Sequence, residues 1–136
     1  MEELRRLRAL SDGIEEPIYV IDPTKYEILF ANKKTRELFG ERIVGKKCYN
    51  IFHKQNGPCP FCTNKYILGK NLGKAYIWKD HQNQRNKRWY RGLCKAIPWP
   101  GRKYVRYGIA IDITGQKKME KALMKSEERY RSLFEN

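Results

Sequence analysis

The segment from Lys103 to Ile113 narrows the choice of fold more than any other. Successive side chains of a strand point to opposite faces. The alternation here sorts Val105, Tyr107, Ile109, Ile111 and Ile113 onto one face and Tyr104, Arg106, Gly108, Ala110 and Asp112 onto the other. Toward its end both faces are apolar or small, so the strand needs cover on both sides. The core supplies one cover, and a helix or a partner chain must supply the other. Upstream, Lys87 to Ile97 reads as a strand, with Pro98-Trp99-Pro100-Gly101 as the turn between the two. Ala75 to Lys79 sets Tyr76 and Trp78 against lysines and reads as a further strand, followed by a polar loop over Asp80 to Asn86.

The first half of the chain supplies two more strands and the short helices. Met1 to Ser11 has helical spacing with leucines on one side, and Asp12-Gly13 breaks it. Pro17 to Asp22 and Glu27 to Asn32 are short runs rich in β-branched and aromatic residues, joined by a Pro23-Thr24-Lys25 turn, and predict a hairpin. Asn32 can cap a helix that Gly40 stops. Cys48, Ile51 and Phe52 lie at i, i+3 and i+4 and predict a short helix ending before Gly57-Pro58. A further helix is expected to open at Pro60, carry Phe61, Tyr66, Ile67 and Leu68, and stop at Gly69. From Gly115 the pattern turns helical and charged. Gln116, Met119, Leu123, Ser126, Tyr130 and Leu133 are spaced 3-4-3-4-3, which is a coiled-coil seam. The order is helix, two strands, short helices, three strands, long helix: an α+β domain built on an antiparallel sheet. Three parts are expected: an N-terminal helix over 1–13, a sensor-sized domain over 14–114 and a coiled-coil-like linker over 115–136.

No run approaches the length of a membrane span. The charged opening, with Glu2, Glu3, Arg5, Arg6 and Arg8, lacks the apolar stretch of a secretory signal, so a cytoplasmic location is expected. Lys and Arg number 29 against 15 Asp and Glu, a net charge of +14. The positive residues are spread along the chain rather than gathered in one helix or tail, as on a solvated surface, and nucleic acid is not the expected partner.

In four places the residues resemble the PAS family. Leu10 to Asp22 (Leu-Ser-Asp-Gly-Ile-Glu-Glu-Pro-Ile-Tyr-Val-Ile-Asp) is similar to the family's opening. Phe30-Ala31-Asn32 followed by Leu38-Phe39-Gly40 resembles its second strand and first helix. Gly108 to Thr114 (Gly-Ile-Ala-Ile-Asp-Ile-Thr) resembles its closing strand and Asp-Ile-Thr signature, and Ser126 to Phe134 the start of a next such domain in a tandem array. The resemblance implies a five-stranded antiparallel sheet cupping a pocket under short helices, with N- and C-terminal helices flanking it. It implies a signalling role without catalysis. Phe30, Phe52, Ile67, Trp78, Tyr90, Cys94, Gly108 and Ala110 are the candidates to line that pocket. Asp112 and Thr114, where the last strand meets the exit helix, are assigned to signal transfer. Thr114 could also cap that helix. An attached output domain, such as a histidine kinase or a cyclase, is expected beyond Asn136 or on another protein. A homodimer through the terminal helices and the outer sheet face is expected too.

The sharpest chemical feature is Cys48-x4-His53-x5-Cys59-Pro60-Phe61-Cys62. A Cys-x2-Cys step is chelating spacing for zinc or an iron–sulfur cluster. Three readings stay open: a metal site with His53 or Cys94 as fourth ligand, a reversible Cys59–Cys62 disulfide, or thiols that pack a loop. A similar Cys…His…Pro-Cys-x-x-Cys pattern occurs in a subset of PAS domains. Residue 63 is Thr, so the Cys-x-x-Cys-His of covalent haem is absent. The Pro60 to Gly69 segment has no histidine for haem, and the Asn-Cys-Arg core of flavin-reactive relatives is missing. His81 falls in the polar loop and is expected to be solvated. Two rival classes remain: a nucleic-acid module that uses aromatic residues among arginines on the last strands, and a metal-stabilised interaction domain.

Overall fold

The computed structural model describes residues 1–135; Asn136, the last residue of the expected exit helix, lies outside them. The elements are α1 (Glu2–Asp12), β1 (Ile18–Ile21), β2 (Ile28–Ala31), α2 (Lys33–Phe39), α3 (Cys48–His53), α4 (Asn64–Ile67), a 3₁₀ turn at Gly69–Asn71, β3 (Tyr76–Gln82), β4 (Trp89–Trp99), β5 (Arg102–Asp112) and α5 (Thr114–Glu135). The strands form one antiparallel sheet in the order β2-β1-β5-β4-β3. The expected α+β architecture is therefore the observed one.

Asn32 anchors the N-terminal half. It is fully buried, and its Oδ1 accepts from the backbone N–H of Ile18 at 2.9 Å and of Thr35 at 3.2 Å. Its Nδ2 donates to the carbonyls of Ser11 and Glu16, each at 3.0 Å. One amide thus caps α2 and also ties the end of α1 to the start of β1. Gly40 closes α2 at φ 124°, a conformation that favours glycine.

Register sets which side chains meet. One row crosses all five strands on the inner face: Ala31, Tyr19, Gly108, Cys94 and Tyr76. The next row, on the outer face, runs Ile18, Ile109, Leu93 and Ile77. Leu93 and Ile77 are 40% and 53% exposed there, so part of the sheet's outer face is apolar and open. Inside, Ile21, Ile28, Ala31, Ile43, Cys48 and Phe52 form one buried cluster, and Ile67, Cys94 and Ala96 form another.

Three boundaries differ from the sequence expectation. The helix expected from Pro60 is only Asn64–Ile67. Cys59 to Cys62 is instead a turn, closed by the Cys62 N–H on the Cys59 carbonyl at 3.0 Å. Asn64 is then pinned at the helix start by its Nδ2 bond to the Pro23 carbonyl. β3 continues to Gln82 through a register shift between Trp78 and His81, where Asp80 takes φ 27°. The loop expected from Asp80 is therefore shorter. β4 runs through Pro98 and Trp99, and Trp99 pairs with Arg102 across a Pro100-Gly101 turn in which Gly101 has φ 80°. No helix among the described residues is long and apolar enough to cross a membrane.

Candidate functional site

The inner face of the sheet, α3 and the 59–63 turn surround a small, half-open cavity. It lies where the two core clusters meet: Cys48 and Phe52 come from the first, Cys94 from the second. A second hollow adjoins it, bounded by Tyr19, Phe52, His53, Trp78, His81, Tyr90 and Ala110.

Aromatic rings make most of the wall. Phe61 stacks on Trp78 with centroids 5.3 Å apart, and His53 meets the Phe61 edge at 5.0 Å. Trp78 stacks on His81 at 3.5 Å with planes 5° apart. His81 is therefore not the solvated loop residue expected from its polar neighbours. Continuation of β3 turns it inward, and its Nδ1 is buried without a hydrogen-bond partner among the described residues. Burial holds both imidazoles neutral: the pKa of His53 and that of His81 are each pulled down to about 4.

Of the residues expected to line the pocket, Phe52, Trp78 and Cys94 border the main cavity, while Tyr90 and Ala110 border the adjoining hollow. Gly108 lies beneath the Tyr19 ring, where a Cβ would stand 2.6 Å from Cε2. Two expectations are corrected. Phe30 pairs with Val20, which pairs with Tyr107, and that row faces the outer side. Ile67 is fully buried in the second core cluster and borders neither cavity.

The cysteines converge without closing into a cage. Among the described residues no three His, Cys, Asp or Glu side chains are placed to hold a metal ion. Arg106 lies between them instead. Its Nη1 donates to Asn64 Oδ1 at 2.7 Å and to Cys62 Sγ at 3.3 Å, and its Nη2 to Cys48 Sγ at 3.6 Å. His53 faces Phe61 and Trp78, and the Cys94 thiol donates to Thr63 Oγ1 at 3.4 Å. All four thiols are free. Burial pushes the Cys48, Cys94 and Cys59 thiols up, Cys59 to about 11. Arg106 was not among the sequence candidates. The signal was its place on β5: it alternates with Tyr104, Gly108 and Ala110, on a face that had to be covered.

Asp112 and Thr114 join the sheet to α5. Thr114 is the first residue of the helix, and its Oγ1 accepts from the Trp89 N–H of β4 at 2.9 Å. Thr114 lies inside the helix rather than at its cap, and Asp112 Oδ1, just ahead of the helix, accepts the Thr114 N–H at 2.9 Å. The Asp112 carboxylate also pairs with Arg88. Although burial alone would raise it, those hydrogen bonds and the Arg88 charge hold the Asp112 carboxyl below its usual range. One turn into α5, Lys117 Nζ reaches Asp80 Oδ2 at 2.7 Å, and Arg91 reaches Asp80 Oδ1 at 3.0 Å.

A family profile described as PAS domain matches residues 5–72. Among solved structures, the PAS domain of nitrogen regulation protein NR(II) from Vibrio parahaemolyticus superposes with a TM-score of 0.62 at 16% identity, over 79% of this chain and 97% of that one. The PAS domain of an HTR-like protein from Haloarcula marismortui gives 0.65 at 15% identity, over 82% and 98%. A sensory box histidine kinase/response regulator from Burkholderia thailandensis gives 0.60 at 18% identity, over 93% and 98%. At those identities the likeness is one of fold. No curated protein matches the chain. With half its length matched by the family profile and its fold shared with those structures, the chain belongs to the PAS domain family.

Proposed function

We propose that this chain is a cytoplasmic sensory module that takes a small ligand into the cavity beside Arg106 and relays occupancy through α5 to an attached output domain, such as a histidine kinase or a cyclase. The observation that carries the reading is the joint between cavity and helix. β3, β4 and β5 supply the wall residues Trp78, Cys94 and Arg106, and the same strands hold the first turn of α5 through Asp80, Trp89 and Asp112. A shift of the wall strands therefore moves the helix anchors directly. Hydrogen bonds that break and re-form at such a joint make a two-state element.

The test replaces Asp112 and Thr114 by Ala in the full-length protein. Output should lose its regulation while this domain keeps its circular dichroism spectrum. Output that stays fully regulated would reduce the joint to a plain cap.

A homodimer fits the same reading. Met119, Leu123, Tyr130 and Leu133 of the α5 seam are 60% exposed or more, as are Leu4 and Leu10 of α1, and Ile77 and Leu93 are open on the outer sheet face. Sedimentation should give a dimer that Leu123→Glu dissociates; a monomer at tens of micromolar would remove this part of the reading. Against the nucleic-acid reading, Trp78 and Tyr90 of its aromatic set face inward and Lys117 lies over the Trp89 ring at 5.3 Å. The thiols around Arg106 remain candidates for metal or redox chemistry. Elemental analysis of protein purified without oxygen decides: zinc or iron at about one equivalent supports the metal reading, and its absence leaves thiols.

A further inference from the structure

Arg106 is 8% exposed, the one basic side chain buried among the described residues, and its guanidinium borders the main cavity. No carboxylate of the described residues pairs with it. A guanidinium does not give up its proton in a protein. Burial therefore cannot be relieved by neutralisation, and an unpaired buried charge carries a large desolvation penalty. Asn64, Cys62 and Cys48 accept three of the guanidinium's N–H bonds, and the remainder find no acceptor among the described residues.

What surrounds that charge narrows what could meet it. Phe52 and Phe61 line the wall with apolar rings, and Trp78 joins them already stacked on Phe61 and His81. Thr63, whose Oγ1 accepts from Cys94, and Tyr19, Tyr26 and Tyr49 also reach the wall. A carboxylate matches the planar fork of one guanidinium.

We propose that the cavity binds a small aromatic carboxylate, its carboxylate on the Arg106 guanidinium and its ring against Phe52 and Phe61. The proposal rests on the sensory reading of this cavity and names its class of ligand.

The probes are benzoate and 4-hydroxybenzoate, each set against its uncharged amide, titrated into the unaltered chain by calorimetry and thermal shift. The acids should bind and raise the melting temperature, with the amides weaker by roughly tenfold or more, the margin of a lost charged hydrogen bond. In Arg106→Met the preference for acid over amide should vanish. If that variant fails to fold, the acid–amide comparison on the unaltered chain still decides. Equal binding of acids and amides, or no binding by any of the four, overturns the proposal. So does an ultraviolet thiolate band at neutral pH that Cys48→Ser or Cys62→Ser abolishes, since the guanidinium would then already have its counter-charge. None of these outcomes bears on the relay test at Asp112 and Thr114, which reads output without added ligand.

Discussion

The approach of Tyr19 to Gly108 gives the sharpest test of how the inner face is packed. A Cβ on residue 108 would stand 2.6 Å from Tyr19 Cε2, 2.7 Å from Cζ and 2.9 Å from the hydroxyl oxygen. Carbon atoms rest at about 3.5–4.0 Å, so in Gly108→Ala the ring must retreat by about an ångström. It cannot do so freely, because its other neighbours include Phe52, with ring centroids 5.1 Å apart. Overpacking of this kind costs about 1–3 kcal/mol. For a chain of this length 1 kcal/mol moves Tm by about 3–4 °C, so Gly108→Ala should melt about 3–12 °C lower. Tyr19→Ala alone opens a hole and should cost about 3–5 kcal/mol. In the double variant the new methyl has no ring to meet, so the two losses should fall short of their sum by about 1–3 kcal/mol. Thermal melts and urea midpoints of the four proteins supply the cycle. A Gly108→Ala protein that melts with the wild type, or a cycle that is additive, would refute the packing described here.

Acid should weaken the fold before its carboxylates titrate. His53 and His81 sit at about 4 in the fold against an ordinary 6.5, so between those values the unfolded chain binds protons that the fold refuses. Stability is intact above about 6.5 and is lost as pH falls toward 4, by up to about 1.4 kcal/mol per pH unit from His53 and less from the more open His81. Urea midpoints at a series of pH values check it, and a flat profile across that window would contradict neutral buried rings. Asn32→Ala should cost about 2–4 kcal/mol, since it strips the helix cap, leaves the Ile18 N–H and the Glu16 carbonyl without partners, and leaves the Ser11 carbonyl only the Ile14 N–H. Asn32→Asp keeps the acceptor and loses the donor, so it should also destabilise; an Asn32→Asp protein as stable as the wild type would show that the two carbonyls do not need the amide.

What could be read from the sequence was what is decided locally. Asn32 as a cap, Gly40 as a stop and the alternation of β5 each depend on a few neighbouring residues, and each is found where expected. β2 is apolar on both faces, so its local sequence does not orient Phe30. Only its pairing through Val20 to Tyr107 shows which way it points, and pairing is a long-range property. His81 was lost for a similar reason. Asp, His, Gln and Asn in succession read as loop, and the pairing of His81 with Tyr90 that extends β3 lies outside that window. The Cys-x2-Cys step was visible as a motif, but the cation placed among its sulfurs comes from forty residues away in sequence, roughly the distance from Cys62 to Arg106.

Asp80 has a consequence for the direction in which information can travel. It lies between Trp78 and His81 of the cavity wall, in a positive-φ conformation that few side chains adopt, and its carboxylate holds Lys117 of α5. Binding free energies that share such an element are reciprocal. If filling the cavity shifts α5 toward one arrangement by some factor, a partner that grips α5 in that arrangement tightens the cavity's hold on its ligand by the same factor. The ligand affinity of this domain is then a property of the assembly it serves, and one measured on the isolated chain reports only the ungripped state.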